Sequence, residues 1–88
     1  MKVKSGFLLR SIAGNHVIVP IGDRVKDFNG VITVNETGAF LFKLLEKGAE
    51  EEQLVQAILA NYEDVDEATA KQSVSDFLES MKEADCFE

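Results

Sequence analysis

The spacing of apolar residues changes once along this chain, at residue 35, and that change limits the fold more than any other feature. Before it, apolar and β-branched residues fall in short runs broken by turn residues. After it, they recur at the three- and four-residue intervals of an amphipathic helix. Phe7–Ile12 reads as a first strand, and Ala13-Gly14-Asn15 supplies residues that tolerate positive φ in a tight hairpin turn. His16–Pro20 reads as a second strand, with Pro20 expected to weaken the pairing because it lacks an N–H. The stretch 21–28 is ambiguous, and Arg24–Phe28 is compatible with a short extra strand. Asn29-Gly30 is the strongest two-residue turn signal, and Val31–Val34 makes a last, β-branched strand.

Three helices follow. Asn35 is a good N-cap for the first, which runs to about Lys47 and stops at Gly48. Its stripe is Phe40, Leu41, Leu44 and Leu45, with Phe42 off it. The second spans about Glu50–Asn61 and aligns Leu54, Val55, Ile58, Leu59 and Tyr62. Asp66 caps the third, about Glu67–Ala84, whose stripe is Ala70, Val74, Phe77, Leu78 and Met81. Cys86 and Phe87 are expected to fold back on the core. A small antiparallel sheet must bury one face, and three amphipathic helices offer the matching surface. The expected fold is therefore α+β: a single winged-helix-like domain over residues 1–88, with an N-terminal three-stranded antiparallel sheet and then a three-helix bundle.

The chemistry that this frame could carry is sparse. With 88 residues there is room for one core, and 45% hydrophobic and 28% charged residues are ordinary for a folded domain. No apolar run approaches the ~20 residues of a membrane span, and no secretory-type segment opens the chain, so a cytoplasmic protein without membrane contact is expected. Charge is uneven: five Lys/Arg face two acids in residues 1–35, and four face fourteen in residues 36–88. That opposes binding to phosphates and suits a basic peptide segment or a basic protein surface. Part of the acid, Glu50–Glu52 with Asp66 and Glu67, sits in first helical turns, where the helix dipole favours it. His16 is the only histidine and reads as an exposed strand residue, and the single Cys86 reads as a small core hydrophobe. Asp64-Val65-Asp66 lacks the glycine and terminal glutamate of a calcium loop, and no phosphate-binding glycine motif occurs. No catalytic set, metal site or cofactor is expected, and the chain does not read as an enzyme.

One feature suits recognition. Val31–Val34 carries none of the Lys, Pro or bulge residues that usually guard an exposed strand. Two readings stand: an open edge ready to accept another strand, or a central strand paired on both sides.

Phe28-Asn29-Gly30, the run Val34-Asn35-Glu36-Thr37-Gly38-Ala39-Phe40-Leu41, and Leu44-Leu45 resemble the PqqD family. So do Leu54-Val55 in the second helix and Val74, Phe77, Leu78 and Met81 in the third. The resemblance covers about residues 7–88, and the chain departs from it at Asp85-Cys86-Phe87, where a glycine-leucine finish is usual. It implies a non-catalytic peptide chaperone, a monomer or weak dimer. Such a protein binds the leader of a ribosomally made precursor peptide and presents it to a modifying enzyme, often a radical S-adenosylmethionine enzyme. The product implied is pyrroloquinoline quinone or another modified peptide. The leader is expected to add to the last strand, at Val31, Ile32, Thr33 and Val34, and to lie against the third helix. The lane 67, 71, 75, 78 and 82, beside the core stripe, is the one expected to face it, which makes Lys71, Ser75, Leu78 and Lys82 candidate contacts. The alternative is a winged-helix DNA-binding regulator, against which the acids of the third helix speak.

Overall fold

The structure is a computed structural model that describes residues 1–27 and 31–88. The Asn29-Gly30 turn and Phe28 lie outside the described residues. Strand β1 (Phe7–Ile12) and strand β2 (Asn15–Pro20) form an antiparallel hairpin closed by Ala13 and Gly14, at φ 51° and 82°. Both loop residues have the positive φ of the turn whose twist matches the flanking strands. A single helical turn, α1 (Arg24–Asp27), leads to strand β3 (Ile32–Val34), which pairs antiparallel with β2. Helices α2 (Glu36–Lys47), α3 (Glu51–Asn61) and α4 (Glu67–Glu83) complete the α+β arrangement.

Capping fixes where the helices begin. The Asn35 side chain accepts from the Gly38 N–H at 2.7 Å, and Asp66 accepts from Thr69 N–H at 2.8 Å. Gln53 Oε1 accepts from the Glu50 N–H at 2.7 Å. Each contact satisfies a backbone donor that the helix itself leaves unpaired.

Three expectations are corrected. Arg24–Asp27 is helical and not an extra strand: Val25 N–H donates to the Gly22 carbonyl and Lys26 N–H to Asp23, the three-residue spacing of a tight helical turn. Phe42 is fully buried, whereas Phe40, placed on the stripe, is half-buried and meets the Tyr62 ring edge-on at 5.9 Å. The cause is that α2 touches all three strands as well as α3 and α4, so its buried arc is wider than one stripe. Pro20 costs the β1–β2 hairpin no bond, because Phe7↔Pro20 is a non-bonded pair and beyond it Ile21 N–H donates to the Gly6 carbonyl at 2.8 Å. Its missing N–H faces β3, where the described pairs reach only to Ile18↔Ile32.

Ile18 from β2, Leu41, Phe42 and Leu45 from α2, Leu54 and Ile58 from α3, and Val74, Leu78 and Met81 from α4 meet in one core. The tail joins it: Cys86 is fully buried, Cys86 N–H donates to the Met81 carbonyl, and Val3 bridges Phe87. His16 is half-buried and its Nδ1 lies 2.6 Å from Ser11 Oγ across the hairpin. No helix among the described residues is long and apolar enough to cross a membrane.

Candidate functional site

Backbone arithmetic shows which groups β3 turns outward. Antiparallel pairs alternate between hydrogen-bonded and non-hydrogen-bonded. The Ile21–Gly6 bond makes Phe7↔Pro20 a non-bonded pair and Leu8↔Val19, Arg10↔Val17 and Ile12↔Asn15 bonded ones. The odd-numbered residues of β2 therefore serve β1, and the even-numbered ones serve β3. Ile18↔Ile32 and His16↔Val34 are then the bonded pairs of the second ladder, and Val17↔Thr33 is not. It follows that Ile32 and Val34 spend their peptide groups on β2. Thr33 directs its N–H and C=O away from the sheet, and the same alternation turns the Asn35 N–H that way. β3 is an outer strand, the order being β1-β2-β3, so the open-edge reading is the one that the topology supports for Ile32–Val34; Val31 lies outside the strand and is exposed. β1 is also an outer strand, but it carries charged, exposed Arg10.

The β3 edge differs from the β1 edge in what lies beside it. Ile18 points into the core, so its partner Ile32, and Val34 two residues on, point to the same side. Together with Leu41, Phe77 and Met81 they floor a groove of about 290 Å³ that runs between β3 and α4. Its α4 lip carries Ser73, Asp76 and Ser80. Among the described residues no Lys or Arg lines it. Gly38 stands where α2 leaves β3, and a Cβ there would lie 3.0 Å from Val34 Cβ and 3.3 Å from Phe77 Cδ1. The missing side chain is what lets strand, α2 and α4 close around the groove floor.

The expected helix contacts fall elsewhere. Lys71 and Ser75 border a different depression, against Glu50–Glu52 and Val55 of α3 and its entry. Leu78 is buried in the core and Lys82 is exposed, and neither lines the groove beside β3. A core stripe has two flanks, and Lys71 and Ser75 of the expected lane lie on the flank toward α3, away from β3. The residues that do border it are 73, 76, 77, 80 and 81. Phe77 and Met81 were legible as apolar stripe positions. Gly38, a glycine inside a helical pattern directly after a strand, was the available signal of a close approach.

Electrostatics follow the same division. Lys71 pairs with Glu67 at 2.9 Å, and that bond, with the charges of Glu67 and Glu52, holds its ammonium above the ordinary lysine range. Asp76 is exposed and accepts from Gln72 Nε2 at 2.8 Å. Among the described residues no group of three His, Cys, Asp or Glu is arranged to hold a metal ion.

The profile of the family described as "Coenzyme PQQ synthesis protein D (PqqD)" matches residues 15–86. A solved structure described as "TbiB1 in Complex with the TbiA(beta) Leader Peptide" superposes with a TM-score of 0.75 at 25% identity, covering 100% of this chain and 95% of that one. A search of curated proteins returns no significant match.

Proposed function

The chain belongs to the PqqD family, and from that membership we propose that it is a non-catalytic module that binds the leader of a ribosomally synthesised precursor peptide. The observation that carries this reading is the outward N–H and C=O of Thr33 beside an apolar groove. An extended peptide laid along β3 becomes a fourth strand: backbone bonds to Thr33 supply affinity, and side chains entering the groove supply choice. The fold likeness to a protein solved with a leader peptide supports the same reading.

A strand held in this way stays extended, with alternate residues turned away from the groove. In our reading the module presents it so to a modifying enzyme. The radical S-adenosylmethionine class of that enzyme rests on the family likeness alone. Pyrroloquinoline quinone is one product the family implies, and another modified peptide fits equally well. The DNA-binding alternative finds no support: α4 exposes Asp76, Glu79 and Glu83, where a recognition helix would need cations.

The test uses fluorescein-labelled synthetic peptides that span the N-terminal halves of short reading frames beside this gene. Anisotropy titration against the full chain is expected to give micromolar or tighter binding for one of them. That binding is expected to be lost in Thr33→Pro, which deletes the outward N–H and leaves the β2 ladder intact. Equal binding by Thr33→Pro would overturn the strand-addition reading.

A further inference from the structure

The register of β3 determines which leader residues enter the groove and what chemistry meets them. Side chains opposite each other in a sheet share a face. The leader residue level with Thr33 therefore lies on the outer face with Thr33, which is exposed. Its two neighbours in sequence share the face of Ile32 and Val34 and point toward α4. The groove thus receives two leader side chains spaced two residues apart.

The walls they meet are not uniform. The floor is apolar: Ile32, Val34, Phe77 and Met81. The α4 lip is hydroxyl and carboxylate, with Asp76 between Ser73 and Ser80. One Asp76 oxygen accepts from Gln72, and the other has no partner among the described residues. Outside Asp76 the same helix exposes Glu79 and Glu83, while Lys71 borders the depression toward α3 and Lys82 does not line the groove. A side chain that fits an apolar floor and an anionic lip is long, aliphatic and cationic at its tip. Lys and Arg lay their methylene stems on apolar surface and carry the charge to the rim.

We propose that Asp76 is a specificity-determining residue that reads a Lys or Arg in the bound peptide, two residues from an apolar side chain seated on the groove floor. This rests on the strand-addition reading above and adds to it the chemical class of the segment recognised: an extended stretch of the form apolar-x-basic, or the reverse, in which the middle residue is not read by the groove. An acidic residue at either groove-facing position is selected against, because it would meet Asp76 without a cation.

The test is a random 12-residue peptide display library panned on the full chain, on Asp76→Lys and on Thr33→Pro. The wild type is expected to enrich peptides with an apolar residue and a Lys or Arg two apart. Asp76→Lys is expected to enrich Asp or Glu at the basic position and keep the apolar one. A synthetic peptide from the wild-type selection is expected to bind Asp76→Asn up to about fivefold more weakly at low salt, the effect of losing one solvent-exposed ion pair. The Asn variant keeps the size of the side chain, so its result stands if the Lys variant folds poorly. Enriched peptides that depend on the Thr33 N–H but show no basic preference, or the same preference on Asp76→Lys, overturn the role of Asp76 and leave strand addition standing. Enriched peptides that bind Thr33→Pro as well as the wild type, or no enrichment on the wild type, overturn both.

Discussion

Ile18 and Ile32 face each other as a hydrogen-bonded pair across the β2–β3 ladder, and this one pairing turns the peptide groups of Thr33 toward open space. Neighbouring residues of the same strand therefore respond in opposite ways to proline. Thr33→Pro removes an N–H that has no partner among the described residues, and an outward N–H on an edge strand is where proline is tolerated. Ile32→Pro removes a ladder bond and a partly buried side chain. We expect the first to leave the denaturant midpoint nearly unchanged and the second to lower stability by ~2–3 kcal/mol, measured by urea unfolding. A larger loss for Thr33→Pro than for Ile32→Pro would mean that the register is shifted by one.

Gly38 is placed to separate groove shape from stability. Alanine in a helix gains up to ~1 kcal/mol over glycine, but here the added Cβ meets Val34 at 3.0 Å and Phe77 at 3.3 Å. The two effects oppose each other, so Gly38→Ala is expected to change unfolding free energy by less than ~1 kcal/mol. Because both neighbours floor the groove, leader affinity is expected to fall more than stability does. Isothermal titration beside thermal melting checks this.

The two flanks of α4 make a matched pair of variants. Ser80 lies on the groove lip and Ser75 on the flank toward α3. A lysine at 80, one turn from Asp76, takes up its carboxylate and repels the basic side chain of the peptide. Ser80→Lys is expected to weaken leader binding by about tenfold, a loss of ~1.4 kcal/mol, and Ser75→Lys to leave it unchanged. The reverse result would return the peptide to the lane of Lys71, Ser75, Leu78 and Lys82.

The two N-caps differ in whether they titrate. Asn35→Ala is expected to cost ~1 kcal/mol at any pH between 3 and 8. The Asp66 carboxylate accepts from the Thr69 N–H and, second in effect, from the Thr69 hydroxyl, and these bonds hold its carboxyl below the ordinary value of 3.8. A depressed folded pKa stabilises above the unfolded value and stops doing so as pH falls through the folded one. The stability gap between the wild type and Asp66→Ala is therefore expected to be constant at neutral pH and to close below pH 3.8, as acid unfolding curves followed by circular dichroism would show.

Local signals made much of the fold legible. The hairpin loop, Asn35, Gly48 and Asp66 each act on their own turn of backbone, and the bounds of β1 and α2 follow from them. Phe42 was not legible, because its burial depends on α2 being packed on several sides at once. The contrast is measurable: Phe42→Ala is expected to cost ~3–5 kcal/mol, and Phe40→Ala, at the edge of the core, ~1–2 kcal/mol. The flank of α4 that borders β3 was likewise hidden, since the periodicity 70, 74, 77, 78, 81 is the same whichever side the sheet lies on. The α1 turn depends on Gly22 at φ 59° and its three-residue bonds, where sequence offered only an ambiguous stretch.

Amide hydrogen exchange of Ile32, Thr33 and Val34, with and without the bound leader, tests strand addition most directly. Exchange of the free chain is expected to be slow at Ile32 and Val34, whose N–H groups are held by β2, and fast at Thr33. On binding, Thr33 is expected to become protected while its two neighbours change little. A Thr33 amide already protected in the free chain, or one still exchanging freely in the saturated complex, would contradict the account.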